Sequence, residues 1–283
     1  MKVKIICNWT HDLEHIKNRI IANYGIDPDI ELTTGYDFDY LLVFNGNTYN
    51  RGISHKKENT IGIIMEPSWN SCWDRQLDSY CSKIIVHDNN LYNFQNAINS
   101  PSIMFSHISE DLTNIIPYKN QNPVKTKKIS IIVSKKNEGT SMYNYRINLV
   151  NAILLSDIDI DIYGTGWNIN DSRFKGCIAN KKDALLDYEY SIAIENVREH
   201  NYITEKYIDC VLCNTIPVYF GAPNINEVYS SHINIYYDIQ NTLDVIRKIN
   251  SNHYQYTDGL VIRDKHTYFE NYNIYKLIKT IYQ

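Results

Sequence analysis

A chain of 283 residues has room for two α/β domains of ordinary size, each with its own core. A formal net charge of -4 with no long basic stripe excludes a nucleic acid as the main partner, because too few cations are available to neutralise phosphates. With 43% apolar and 21% charged residues the composition is globular, and no run approaches the roughly 20 apolar residues that span a bilayer.

The opening MKVKIICNWT lacks a signal-peptide core and reads as a first strand, Val3 to Cys7. An amphipathic helix over 11–22 follows, then strands over 40–44, 61–65, 83–87 and 103–105. Strands alternating with helices or loops predict a parallel sheet. The strand 61–65 runs into Glu66-Pro67-Ser68. Proline after the acid keeps the chain extended, so the Glu66 carboxylate projects from the strand end; the plain alternative is a glutamate in a surface turn. The polar stretch PYKNQNPVKTKK, 117–128, marks a linker.

The second half restarts with the strand Ile131 to Val133, then Ser134, a polar loop containing Gly139, and a helix over 144–156 that carries Arg146. Asp157-Ile158-Asp159-Ile160-Asp161 contains a DxD pattern twice, which could hold a metal. Its alternation with isoleucine instead predicts a half-buried strand with acids on the wet face, leading to Tyr163-Gly164. The most informative segment is YSIAIENVREHNYITEKYIDCVLCNTIPVYFGAP, 190–223. It reads as a strand (191–194), a polar loop, a helix from Thr204 to about Cys213 and a second strand (216–220), a βαβ unit with polar groups gathered where strand gives way to helix. Ligands of open parallel sheets bind at such strand ends.

Thr204 is the expected N-cap of that helix, which puts Glu205 and Lys206 in its first turn. A lysine there opposes the helix dipole. An anion at the helix start, with phosphate the obvious candidate, would resolve the mismatch; a solvated lysine that the helix simply tolerates is the alternative. Cys210 and Cys213 lie at the far end of the helix, where the dipole disfavours thiolate, and are expected to pack, not to react. A helix over 241–250 and a single amphipathic helix over 264–283, packing on the body, complete the chain.

Glu195-Asn196, Tyr202-x-Thr204-Glu205-Lys206 and Pro217-Val218-x-x-Gly221 resemble the donor-binding signature of the family 10 glycosyltransferases, the α1,3/α1,4-fucosyltransferases. Ser134, Arg146, Tyr163-Gly164 and Lys175-Gly176 extend the resemblance over 129–237, and Glu66-Pro67-Ser68 is similar to the family's acceptor-side motif. The resemblance implies the GT-B fold: two Rossmann-like doubly wound domains facing across a cleft. Here they are expected as an acceptor-side domain over 1–120 and a nucleotide-sugar domain over 128–263, with 264–283 as the packing helix.

It also implies an inverting transfer of L-fucose from GDP-fucose to a glycan hydroxyl, with no added cofactor. Glu66 would be the general base. Arg146, Lys206 and the helix start at Thr204 would hold the diphosphate. Glu205 would meet sugar or ribose hydroxyls, and Ser134, Tyr163, Gly164, Glu195, Asn196 and Tyr202 would complete the donor pocket. If Glu66 is only a turn residue, the base is sought among acids and histidines such as His107 or Glu110. The expected location is cytoplasmic, free or peripheral to a membrane. A different nucleotide sugar or acceptor within the same family, and a non-catalytic nucleotide- or glycan-binding protein, are the alternatives.

Overall fold

The structure, a computed structural model, describes residues 1–46, 53, 55–109, 111–136 and 141–282. Gly139 and Glu110 lie outside the described residues. The chain divides into two compact units: Met1–Ile116 with Glu199–Tyr202 and Phe269 onward, and Pro117–Arg198 with Ile203–Tyr268.

The first unit runs β1 (Lys2–Cys7), α1 (Leu13–Tyr24), β2 (Glu31–Thr33), β3 (Tyr40–Phe44), β4 (Thr60–Ile63), α2 (Leu77–Tyr80), β5 (Lys83–Val86), α3 (Asn89–Tyr92) and β6 (Ala97–Asn99). The six strands form one parallel sheet, ordered β2-β1-β3-β4-β5-β6. Both faces are buried, as parallel sheets require. Ile5, Leu42, Phe44 and Ile63 pack on one side with Ile16 and Ile20 of α1; Ile6, Leu41, Val43 and Ile84 pack on the other with Leu77, Trp73 and Phe94. The helix α1 starts at Leu13, later than the sequence pattern suggests, because the Asp12 carboxylate caps it by accepting from the His15 amide at 2.9 Å. The expected strand 103–105 does not form. Ile103 and Phe105 are core residues outside any strand, and the outer strand is β6.

The second unit runs β7 (Lys127–Ile132), α4 (Ser141–Leu154), β8 (Asp161–Tyr163), β9 (Phe174–Gly176), β10 (Tyr188–Ile194), α5 (Glu205–Leu212), β11 (Ile216–Phe220), α6 (Ile225–Val228), β12 (Ile233–Asn234), α7 (Ile239–Asn250) and α8 (Asp258–Asn271). Its parallel sheet is ordered β12-β11-β10-β7-β8-β9. That is the Rossmann order: the chain builds outward from β7, then returns beside it with β10. The strand expected across the aspartate run is confined to Asp161–Tyr163, although Ile158 and Ile160 are buried while Asp157 and Asp159 are exposed, in the expected alternation.

The single C-terminal helix expected over 264–283 is two helices, α8 and α9 (Ile274–Tyr282). Asn273 makes the break. Its side-chain NH2 donates to the Phe269 carbonyl at 2.7 Å, and its oxygen accepts from the Lys276 amide at 2.8 Å, so one residue closes α8 and caps α9.

In α8, Lys265 is fully buried and donates to the carbonyls of Tyr118 (2.9 Å) and Gln121 (3.0 Å). Burial pushes its ammonium down from 10.5 to about 8. Between those values the unfolded chain holds a proton that the folded chain has released, so this residue makes stability rise with pH across that window. The unfolding free energy of wild type minus that of Lys265→Met, from urea titrations, is expected to grow across the same window; a flat difference would refute the assignment.

Candidate active site

The connections from β7 and β10 leave in opposite directions, so a crevice is expected outside their carboxyl ends. Four exits meet there: Val133-Ser134 after β7, Gly164 after β8, Glu195-Asn196 after β10 and Gly221 after β11. Gly164 has φ +148, and a Cβ on it would sit 1.8 Å from the Val133 carbonyl oxygen, so only glycine lets these exits lie side by side.

The start of α5 is built on Glu195. This carboxylate is fully buried and accepts from the Thr204 amide at 2.8 Å and from the Thr204 hydroxyl at 2.6 Å. The same hydroxyl accepts from the Lys206 amide at 3.3 Å, as an N-cap does. Burial pushes the Glu195 carboxyl above its ordinary value against the pull of Lys206, whose Nζ lies 3.7 Å away. Glu195 therefore fixes the helix start, and its expected place as a pocket-lining contact is corrected: both oxygens are engaged by Thr204.

The glycine that ends this motif is explained by the same carboxylate. A Cβ on Gly221 would fall 2.4 Å from Cγ of Glu195 and 2.3 Å from Oη of Tyr219, both side chains buried. Gly221→Ala is expected to lower stability by about 1–3 kcal/mol through overpacking. An unchanged denaturation midpoint would mean that Glu195 is free to shift.

Lys206 is poised at the helix start with a side chain 19% exposed, and it pairs with Glu205 at 2.9 Å. Glu205 is itself buried and has a second cation, Lys181, at 3.7 Å, which also meets Asp209 at 3.2 Å. Burial pushes the Lys181 ammonium down, and Asp209 and Glu205 push it up by more, so it stays charged. Lys206 can thus turn to an anion without stranding Glu205 as an unpaired buried charge.

Arg146 reaches the same strand end from α4. Its guanidinium donates to the Ile194 carbonyl (3.2 Å) and the Asn196 side-chain oxygen (3.0 Å), and lies 4.2 Å from the centroid of the Tyr143 ring. Two cations therefore flank residues 194–196. Ser134 stands half-buried at the β7 exit. The Tyr163 side chain is in the core, its hydroxyl 2.7 Å from that of Tyr188, so its expected place as a donor contact is corrected to a packing role.

In the first unit, Glu66 follows β4 and buried Pro67 follows it. The Asn70 amide donates to Oε2 of Glu66 at 2.8 Å, and the Tyr92 hydroxyl donates to the Glu66 carbonyl at 2.6 Å. Tyr202, expected among the donor contacts, instead lies in the first unit, buried edge-on against His87 with ring centroids 5.0 Å apart.

Residues 122–277, more than half the chain, match the family described as glycosyltransferase family 10 (fucosyltransferase), C-term. The chain belongs to glycosyltransferase family 10. A fucosyltransferase-like protein of Arabidopsis thaliana is 31% identical over 110 residues, 39% of this chain and 20% of that protein. The alpha-(1,3)-fucosyltransferase FucT of Helicobacter pylori is 26% identical over 180 residues, 62% of this chain and 34% of that enzyme. The chain thus spans between a fifth and about a third of the length of these curated relatives. A crystal structure of an alpha1,3-fucosyltransferase with GDP-fucose aligns over 100% of this chain and 89% of that one, with a TM-score of 0.58 at 18% identity. At that identity the likeness carries the fold, the two Rossmann-like units of the GT-B class.

In this member of family 10 the fold assembles several groups that the sequence did not single out. Lys181 and Asp209 support Glu205, while His87 and Glu199 join Ser68 at the Glu66 turn. His87 follows the carboxyl end of a parallel strand, a position where a titratable residue is a usable signal. Lys181 and Glu199 carry no local signal. Cys210 and Cys213 are buried, and burial pushes the Cys210 thiol up to about 12, in keeping with packing. No helix among the described residues is long and apolar enough to cross a membrane.

Proposed function

We propose that the chain is an inverting glycosyltransferase that moves L-fucose from GDP-fucose to a glycan hydroxyl, forming an α1,3 or α1,4 bond. The observation that carries this reading is the convergence of Arg146 and Lys206 on the end of β10 beside the capped start of α5, in a member of family 10. Two cations gathered at a strand end beside the positive end of a helix are suited to a diphosphate.

In the reaction, Arg146, Lys206 and the positive end of the α5 dipole take up the charge that grows on the leaving GDP as the bond from the anomeric carbon to the phosphate oxygen breaks. Glu66 accepts the proton from the acceptor hydroxyl as that oxygen attacks the opposite face of the sugar. Glu195 and Thr204 hold the helix start in place. Glu205, its charge balanced by Lys181 when Lys206 turns away, accepts from a hydroxyl of the donor.

The fucosyltransferase names of the relatives, and the GDP-fucose bound to the similarly folded enzyme, support the choice of donor. The test is a nucleotide panel read by thermal unfolding. GDP and GDP-fucose are expected to raise the melting temperature, as any ligand selective for the folded state must. A response to UDP or CMP without one to GDP would overturn the donor assignment.

A further inference from the structure

Glu199 belongs in sequence to the loop between β10 and α5, yet it lies in the first unit with its side chain 13% exposed. Its Oε1 accepts from the Ser68 hydroxyl at 2.6 Å, and its Oε2 accepts from the Ser68 amide at 3.3 Å and meets Nε2 of His87 at 2.7 Å. The His87 side chain is fully buried. The Tyr92 hydroxyl lies 3.2 Å from Nδ1 and 3.5 Å from Nε2 of the same ring, and it donates to the Glu66 carbonyl at 2.6 Å. Asn201 donates to the His87 carbonyl at 3.0 Å. The Glu66 turn is therefore gripped twice by one carboxylate: two residues downstream through Ser68, and at its own carbonyl through His87 and Tyr92.

The Tyr92 hydroxyl is close to both ring nitrogens, so it rests against the imidazole while its one hydrogen goes to the Glu66 carbonyl. Burial pushes the Glu199 carboxyl up, and the His87 and Ser68 hydrogen bonds more than offset it, leaving it below its ordinary value and ionised. The arrangement is not a nucleophilic triad. Ser68 donates to the carboxylate instead of to an imidazole, so nothing is placed to remove its proton.

We propose that Glu199 is a positioning residue for Glu66, holding the catalytic turn through Ser68 on one side and through His87 and Tyr92 on the other. The inference rests on the reading of Glu66 as the general base, and a double-mutant cycle separates the two. Turnover of GDP-fucose is followed with an N-acetylglucosamine-containing oligosaccharide or with water as acceptor. Glu199→Ala is expected to lower kcat by about 10- to 10²-fold, the effect of a misplaced catalytic group, with the donor KM nearly unchanged. In a Glu66→Gln background the same substitution should cost little more, because it acts through Glu66.

Should Glu199→Ala fail to fold, Glu199→Gln serves in the cycle. It keeps an acceptor for Ser68 and is expected to lose less. Losses that multiply in the double variant, or a wild-type rate in Glu199→Ala, would overturn the proposal alone. Full activity in Glu66→Gln would overturn the general-base reading and this inference with it.

Discussion

Replacing Lys206 or Arg146 by alanine is expected to slow transfer from GDP-fucose by roughly 2 to 4 kcal/mol of transition-state stabilisation, the loss that follows removal of one charge-stabilising donor. Both side chains lie at the end of β10, and each has a different neighbour to leave behind. Without Lys206, Glu205 keeps Lys181 as a partner. Buried Glu195 loses its nearby cation, but both of its oxygens remain held by Thr204, so the fold should survive. Without Arg146, the Asn196 oxygen and the Ile194 carbonyl lose a donor, and the end of β10 should loosen by no more than a neutral hydrogen-bond deletion, about 1 kcal/mol. Steady-state kinetics with GDP-fucose, alongside the denaturation midpoint, separates the two effects. Near wild-type turnover in either variant would place the diphosphate elsewhere.

Glu66→Gln is expected to lower transfer by about 10² or more while GDP affinity stays nearly constant, because glutamine keeps the shape of the side chain and cannot take a proton. The turn itself should persist. An amide oxygen still accepts from Asn70, and the contact from Tyr92 is to the backbone. Isothermal titration with GDP and rate measurements on the same preparation check both halves of the expectation. A variant that transfers at the normal rate would return Glu66 to the status of a turn residue.

The parts of this fold that were readable from sequence are those with local causes. The βαβ unit from β10 to β11 announces itself through two apolar runs and a threonine that caps a helix, and Thr204 caps it by the contact its chemistry predicts. The short outer strands β2 and β6 have three residues each, too few for periodicity to register. The run at 103–105 misled for the opposite reason. Apolar character reports burial, and Ile103 and Phe105 are buried without a ladder partner.

At the site, the cap of α5 could be read from the motif, because it acts within one helical turn, whereas the close approaches that require glycine at 164 and 221 depend on neighbouring strand exits and could not. Glu195, Tyr163 and Tyr202 were assigned to the donor, whereas the fold engages them in holding other protein groups. A motif marks residues that must be kept and does not say whether they face a ligand or the scaffold behind it. Glu199 was invisible, since its partner Ser68 lies 131 positions away in the chain.

The helix α9 has a bearing on how this protein is made. Its Ile274, Tyr275 and Ile278 sit in the same core as Ile16 and Ile20 of α1. The Tyr275 hydroxyl donates to the Gly25 carbonyl at 3.0 Å, and Lys279 reaches Asp27 and Asp29 at 2.8 Å each. The unit whose sheet emerges first from the ribosome therefore cannot close its core until residues 274–278 have cleared the exit tunnel. The second unit draws only on residues up to Tyr268 and can be complete sooner. The first sheet thus waits on the last helix, and until α9 arrives the apolar surface that it covers beside α1 stays exposed, of the kind that chaperones bind and aggregation exploits.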